Sequence, residues 1–389
     1  MGLNQNTWKL NQWYDQDVAG NVSYSGLNSL WAWGNNATGR LGINSVIKHS
    51  SPVQIPGTTW SSLEVGYDIN SNPVNMGALK SDGTLWRWGI NEYGELGQNN
   101  RTNYSSPVQV GSWTDWAASS FGMTAWGGVR TDGTLWMSGS NSGPGSYGAD
   151  GQLGQNNTTS YSSPVQVPGT TWSTEIHGGR YNWIVIKTDG TLWTWGEGNY
   201  GALAQNSKTD YSSPVQVGTD ADWSKVGIGW GSASAIKTDG TLWSWGWNDG
   251  GELGFNNRTE YSSPKQVPGT WSYWSSTRDL GSGGIKTDGT LWTCGPNGDG
   301  QLGLNNRTQY SSPVQVGSGT DWSKVITGYK SLGLKTDGTL WAWGYNSAGG
   351  LGQNQANAQL SRISSPVQVP GYWIDISAGA ASAIAIRQA

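Results

Sequence analysis

The stretch that most constrains this chain is Lys237-Thr238-Asp239-Gly240-Thr241-Leu242-Trp243-Ser244-Trp245-Gly246. Asp-Gly between two alternating runs is a strong hairpin signal, and the pattern predicts a two-residue type I′ turn with positive φ at both central positions. Alternation places Trp243 and Trp245 on one face of the second strand, with Leu242, Ser244 and Gly246 on the other. A sheet with one bulky and one shallow face can stack on a copy of itself.

Copies are present. Leucines in this register stand at Leu30, Leu85, Leu135, Leu192, Leu242, Leu291 and Leu340, spaced by 55, 50, 57, 50, 49 and 49 residues. A second marker, Ser-Ser-Pro-Val-Gln or a close variant, follows each: Pro52, Pro107, Pro164, Pro214, Pro264, Pro313 and Pro366. Seven copies of both markers mean seven repeats, and self-similarity at this period signals a propeller, solenoid or array. Each unit reads as about four short strands, the content of one propeller blade.

The repeat starts in mid-unit. Ser29–Gly34 matches a second strand with no complete first strand before it. The missing part lies at the other end, where Trp373 to Arg387 matches Trp223 to Lys237. The two ends therefore share a blade, and the fold class is all-β: a single closed seven-bladed β-propeller with one blade built from both termini. Closure removes the sheet edges that invite aggregation. The propeller spans 26–389, and residues 1–25 form an N-terminal arm outside the repeat.

Composition narrows the function. Charged residues make up 12% of the chain and the net charge is −4, so no basic footprint for nucleic acid exists. No apolar run reaches membrane-spanning length, and the first residues lack a secretory pattern. The single Cys294 excludes an intramolecular disulfide. His49 and His177 with Cys294 leave little material for a zinc site, so no metal and no cofactor are expected. Asn297-Gly298-Asp299-Gly300 lacks the closing carboxylate of a calcium loop and reads as a turn. The Asp of the hairpin recurs in six units, which suits turn chemistry better than catalysis. The expectation is a non-enzymatic protein.

Tryptophan is the main packing material. Of 27 in the chain, twelve occupy the Leu-Trp-x-Trp positions. Trp31, Trp33, Trp86, Trp88, Trp193, Trp195, Trp243, Trp245, Trp341 and Trp343 are assigned to the blade core. Ser138 and Cys294 replace the second Trp, which leaves space that a neighbour must fill.

The units resemble RCC1-type repeats, through Leu-Trp-x-Trp-Gly-x-Asn-x-x-Gly-x-Leu-Gly followed by Ser-Ser-Pro-Val-Gln. That family forms seven-bladed propellers whose termini close one blade together. It includes exchange factors for a small GTPase, a plant UV-B photoreceptor and many bacterial and viral proteins. The near-identical, Asn/Ser/Thr-rich repeats are similar to the last group, marine phages in particular. The photoreceptor's Gly-Trp-Arg-His-Thr motif is absent.

The resemblance implies a structural and interaction module, most concretely a virion protein on a capsid or tail that binds another virion protein or a host-surface protein or glycan. The alternatives are a regulatory exchange factor for a small GTPase and a surface lectin. Attachment residues are sought where the repeat is broken: Trp8, Trp13 and Tyr14 in the arm, and Asn72 and Tyr147 in insertions near 66–77 and 139–152. A third insertion lies near 352–365. Arg101, Arg258 and Arg307, in Asn-Asn-Arg-Thr loops each followed by a Tyr, are the remaining candidates.

Overall fold

The computed structural model describes residues 28–66, 75–142, 151–276, 281–354, 362–379 and 381–388. In chain order the strands are β1 (Ser29–Gly34), β2 (His49–Thr58), β3 (Trp60–Val65), β4 (Asn75–Lys80), β5 (Leu85–Gly89), β6 (Tyr104–Gln109), β7 (Trp116–Phe121), β8 (Ala125–Arg130), β9 (Leu135–Gly139), β10 (Tyr161–Val167), β11 (Trp172–Gly178), β12 (Asn182–Lys187), β13 (Leu192–Gly196), β14 (Tyr211–Gln216), β15 (Trp223–Ile228), β16 (Ser232–Lys237), β17 (Thr241–Gly246), β18 (Tyr261–Ser275), β19 (Ser282–Lys286), β20 (Leu291–Gly295), β21 (Tyr310–Gln315), β22 (Trp322–Ile326), β23 (Lys330–Lys335), β24 (Leu340–Tyr345), β25 (Arg362–Val369), β26 (Trp373–Ala378) and β27 (Ser382–Arg387). No α-helix occurs among the described residues.

The strands form antiparallel sheets in an all-β, propeller-like arrangement. Six sheets are hydrogen-bonded, five of four strands and one of seven. The seven-stranded sheet exists because β18 is long. Its first part, from Tyr261 to Thr270, pairs with β17, and its last part, from Trp271 to Ser275, pairs with β19. The sheet of order β2-β1-β27-β26 joins both ends of the described chain, with Ser29 opposite Arg387 and Trp33 opposite Ala383.

The strands β3, β7, β11, β15, β18, β22 and β26 each touch the next, and β26 touches β3. Residues from all of them line one cavity of about 240 Å³. Connections from a first to a second strand, and from a third to a fourth, lie at one end of this assembly. The Asp-Gly hairpins and the links to the following sheet lie at the other.

One correction to the sequence reading concerns the hairpin. Gly240 has φ +82, but no Asp of these turns has positive φ. Gly240 donates to the Lys237 carbonyl at 2.9 Å, closing a type I turn followed by a left-handed glycine. The Asp side chain is the reason. The Asp239 carboxylate accepts from Thr241 N–H at 2.9 Å and Thr241 Oγ1 at 2.7 Å, satisfying the turn locally. Trp243 Nε1 then donates to the same Thr Oγ1 at 3.2 Å, and Lys237 lies 5.5 Å from the Trp243 ring. The same chain of contacts recurs at Asp82, Asp189, Asp288 and Asp337. It holds each of these carboxyls below the ordinary range through the Thr bonds.

Side-chain parity sets the packing between sheets. Trp243 and Trp245 pack with Ile184, Ile186 and Leu192 of the preceding sheet, while Leu242 packs with Val267, Trp271 and Trp274 on the other side. The second Trp of each pair is fully enclosed and bonds to a backbone carbonyl of the sheet before it. Trp88 Nε1 reaches Arg40 O at 2.8 Å, Trp195 reaches Gln152 O at 3.0 Å, Trp245 reaches Ala202 O at 2.9 Å and Trp343 reaches Gln301 O at 2.8 Å. Trp33 reaches Gly350 O at 3.0 Å.

Where the second Trp is lost, the space is occupied. Ser138 Oγ donates to Gly94 O at 3.0 Å, and the Trp126 indole from β8 lies against Gly97 as Trp88 lies against Gly42. Cys294 is buried with Trp271 and Trp274, and burial pushes its thiol pKa up.

A second link repeats in the backbone. Asparagines at φ +53 to +58 donate across to the next repeat unit: Asn44 to Ser105 O, Asn99 to Ser162 O, Asn156 to Ser212 O, Asn206 to Ser262 O, Asn256 to Ser311 O and Asn305 to Ser364 O. Asn354 donates to Ser50 O in the sheet that holds both chain ends. Asn tolerates this left-handed conformation better than other non-Gly residues.

Candidate protein-interaction face

The end bearing the first-to-second and third-to-fourth connections is irregular. The described connections at this end carry the strongest departure from the repeat.

That departure begins at Gly198. Elsewhere an Asn side chain at this place accepts the N–H of the following Leu, as Asn248 does from Leu253 at 3.0 Å. Gly198 cannot, and a Cβ there would collide with Thr209 O at 2.1 Å. Its N–H goes to Asp210 Oδ1 at 2.7 Å, as the Asn91 N–H goes to Asn103 Oδ1. Two residues on, Tyr200 sits at φ +61, a strained position for a bulky side chain. The strain brings its ring within 4.2 Å of Trp247 at 87°, and within 6.4 Å of Trp230. Trp230 and Trp247 are 6.2 Å apart.

The three rings adjoin a charged pair. Arg180 stands at the repeat position that Trp230 fills one unit later. Its guanidinium lies 4.5 Å from the Trp230 ring, 4.8 Å from the Tyr181 ring and 3.8 Å from Glu197 Oε1. Burial raises the Glu197 pKa, while Arg180 and the Asn199 amide, 2.7 Å from Oε1, pull it back. Lys208 closes the group, paired with Glu260 at 2.9 Å and 5.9 Å from the Tyr200 ring. Tyr200, Trp230 and Trp247 are half-buried. A guanidinium on a Trp face is worth roughly 0.5–2 kcal/mol, and an aromatic pair about 0.5–1.5 kcal/mol. Clusters of Trp, Tyr and Arg of this kind dominate protein-binding surfaces.

The central cavity is the other unusual region. Its wall includes Glu64, His177, Tyr273 and Lys324, and a connected cavity of about 170 Å³ adds Glu175 and Lys225. The His177 side chain is exposed to this channel, and the enclosing walls, with Lys324 and Lys225 nearby, lower its pKa to about 4. Lys324 pairs with Asp375 at 2.6 Å. Glu64 accepts from Arg87 and Ser119, both at 2.7 Å. Arg87 in turn is stacked on Phe121 and Trp126, and burial lowers its pKa to about 10.

The candidates named from the sequence are placed as follows. Trp8, Trp13, Tyr14, Asn72 and Tyr147 lie outside the described residues. Arg101, Arg258 and Arg307 are exposed in three separate repeat units and are not brought together with Arg180. The tyrosines after them are structural: Asn100, Asn257 and Asn306 donate to the hydroxyls of Tyr104, Tyr261 and Tyr310 at 3.1–3.3 Å. Trp33, Trp88, Trp195, Trp245 and Trp343 are fully buried, and Trp31 nearly so. Trp86, Trp193, Trp243 and Trp341 are half-buried under their Lys.

Sequence reasoning missed Arg180, Glu197, Tyr200, Trp230 and Trp247. Their columns vary from unit to unit, with Glu197 and Trp247 sharing one and Tyr93 standing in that of Tyr200, so only Gly198, where the other units carry Asn, departs from a consensus.

Comparison with known proteins agrees with this geometry. The model of the Regulator of chromosome condensation (RCC1) repeat matches residues 28–69, 82–122, 189–236, 239–275, 288–331 and 337–386. The chain belongs to the RCC1-repeat family. Ser138 lies in the stretch this model leaves unmatched.

The chain is similar to the ultraviolet-B receptor UVR8 of Arabidopsis thaliana, 25% identical over 172 residues, 42% of this chain and 36% of UVR8. It is also similar to the Homo sapiens E3 ubiquitin-protein ligase HERC2, 27% identical over 183 residues, 44% of this chain and 4% of HERC2. The matched stretches thus span well under two thirds of either relative. Yeast RCC1 (Prp20), solved bound to Kap60, aligns with a TM-score of 0.79 at 16% identity, covering 94% of this chain and 89% of that one. Human WBSCR16 aligns at 0.78 and 19%, covering 93% and 99%. At these identities the likeness concerns the fold.

Proposed function

We propose that the chain is a non-catalytic, closed seven-bladed propeller that binds a protein partner through its irregular end. The observation that carries this reading is the clustering of repeat breaks at one end of the strands, with Arg180, Tyr200, Trp230 and Trp247 at their centre. A ring of near-identical units binds a partner in one orientation only where its symmetry is broken. Seven blades and closure are supported by the circuit of strand contacts from β3 back to β3, and by the Asn354–Ser50 bond. In this reading β18 serves two blades, which accounts for the seven-stranded sheet.

The partner's identity divides into two readings. The sequence style suggests a virus particle, with residues 1–25 or the insertions assisting attachment. The relatives named above come from a plant, human and yeast and lend that placement no weight. The fold favours the second reading, a regulator of a small GTPase, because a structure of the yeast neighbour Prp20p is described by its binding to Gsp1p and histones. Glycan binding is a third possibility.

The test uses Trp230→Ala and Trp247→Ala in the full chain. Nucleotide-release assays with a panel of small GTPases, and quantification of the protein in purified particles, separate the first two readings. The interaction reading itself predicts that either substitution abolishes partner binding while the thermal midpoint changes little. A partner that binds both variants like the parent protein would refute it.

A further inference from the structure

Three links between a fourth strand and the next first strand share one length and one pattern. They are Val110-Gly111-Ser112-Trp113-Thr114-Asp115-Trp116, Val217-Gly218-Thr219-Asp220-Ala221-Asp222-Trp223 and Val316-Gly317-Ser318-Gly319-Thr320-Asp321-Trp322. They differ at the third residue after the valine: Trp113, Asp220 or Gly319.

In the first link the chain fills its own groove. The Trp113 ring lies 5.1 Å from Trp136, 5.4 Å from Trp116, and 5.1 Å from the Arg130 guanidinium. In the second link Asp220 turns instead to Lys237 at 2.7 Å. In the third link the corresponding walls stand without the indole. Trp341 replaces Trp136, Trp322 replaces Trp116 and Lys335 replaces Arg130, each at the matching register position. Lys335 lies 5.1 Å from the Trp322 ring and 5.3 Å from the Trp341 ring. Together with Leu304 and Pro366 these residues line a groove of about 360 Å³.

The groove is open because of composition, not backbone geometry. Gly319 has no positive φ, and a Cβ there would meet only side-chain atoms, the nearest being the Asp321 carboxylate at 3.1 Å. A second change in the same unit points the same way. Gln98, Gln155, Gln205 and Gln353 each donate a side-chain amide to a fourth-strand carbonyl, at 2.9–3.1 Å. Leu304 stands in that column, so the groove wall gains apolar surface and the Gln315 carbonyl loses a donor.

We propose that this groove binds an aromatic side chain, an indole foremost, presented by a polypeptide partner. The chemistry is set by what an equivalent site already holds: two Trp walls and a cation accept the Trp113 ring. The Gln315 carbonyl offers an acceptor for an indole or peptide N–H. The site lies at the hairpin end, opposite the Arg180 cluster, so it does not depend on the partner reading above.

The experiment titrates N-acetyl-tryptophanamide into the full chain and follows labelled lysine and backbone NMR signals. Shifts should converge on Lys335, Leu304 and Gly317, with N-acetyl-leucinamide binding at least about tenfold more weakly. Gly319→Trp installs the occupant covalently. It should abolish probe binding while keeping or raising the thermal midpoint. Trp247→Ala should bind the probe as the parent does, which keeps this site's failure distinct from that of the irregular end. Equal binding of the two amides, or binding that survives Gly319→Trp, would overturn the proposal. Binding that appears only after removal of residues 1–27 would also overturn it, by assigning the groove to the chain's own N-terminal segment.

Discussion

The two ends of the strands obey different rules. At the hairpin end, Lys-Thr-Asp-Gly-Thr recurs with nearly the same hydrogen bonds, and each Asp, Thr, Trp and Lys answers to its neighbour in sequence. At the opposite end, Tyr200, Arg180 and Trp230 answer to residues of other units. Local bonds can be copied from unit to unit without adjustment. The irregular end tolerates a bulky residue at φ +61 because the regular lattice around it fixes the surrounding backbone. Regularity supplies rigidity, and in the proposed function departure from it supplies recognition.

The largest expected effect comes from breaking the shared sheet. Deleting 373–389 removes β26 and β27, leaves β1 and β2 without their inner partners and strips the cover from Leu334 and Ala342. Chemical denaturation should show a much lower midpoint and loss of a single cooperative transition. An unchanged midpoint with unchanged cooperativity would show that the termini are not structurally coupled.

A sharper version of the comparison uses two tryptophans two residues apart. Trp245 is fully enclosed and bonded to Ala202 O across the sheet interface, so Trp245→Ala should cost about 3–5 kcal/mol. Trp247 is half-buried among Tyr200 and Trp230, and Trp247→Ala should cost about 1 kcal/mol. Urea unfolding of the two variants measures both. Similar losses would mean that the irregular end is as structural as the sheet interface.

A buried charge offers a third probe. Lys330 is enclosed, its ammonium has no hydrogen-bond partner among the described residues, and burial lowers its pKa to about 7. Its pKa is then below the unfolded value, so the unfolded chain binds more protons between about pH 7 and 10.5 and stability rises with pH there. Lys330→Met should stabilise the protein at neutral pH and flatten that rise. Stability curves for the two proteins that run parallel across this range would contradict the assignment.

Much of this architecture was legible in the sequence. The period, the Leu-Trp-x-Trp parity and the match of Trp373 to Arg387 with Trp223 to Lys237 anticipate strand order and the pairing of Ser29 with Arg387, because these follow from local pattern. The turn type was misread because the Asp-Gly signal reports backbone preference, whereas the Asp239 carboxylate bonded to Thr241 decides the geometry. The aromatic cluster was hidden for a different reason. Arg180, Tyr200, Trp230 and Trp247 are up to 67 residues apart, and only the stacking of adjacent sheets unites them. Arg101, Arg258 and Arg307 were conspicuous because they repeat, and what repeats at the same place in each unit stays apart in space.

The smallest expected effect concerns His177, which belongs to neither end but lines the channel between them. Its imidazole, exposed only to the enclosed channel, is held neutral, with a pKa lowered to about 4 by desolvation there and by Lys324 and Lys225. The titratable groups around this channel are Glu64, Glu175, Lys225, Tyr273, Lys324 and, on β26, Asp375. A histidine whose folded pKa is depressed stays unprotonated while the unfolded chain takes up a proton. Stability is therefore full above about pH 6.5 and falls as pH drops from there towards 4. His177→Gln should reduce that slope without moving the neutral-pH midpoint much. The chain contains only two histidines, so proton NMR can follow both directly. The His49 signal, lowered by partial burial alone, serves as the internal reference. A His177 signal titrating near the ordinary value would mean that the channel is as wet as the surface, and that its lysines do not act on the imidazole.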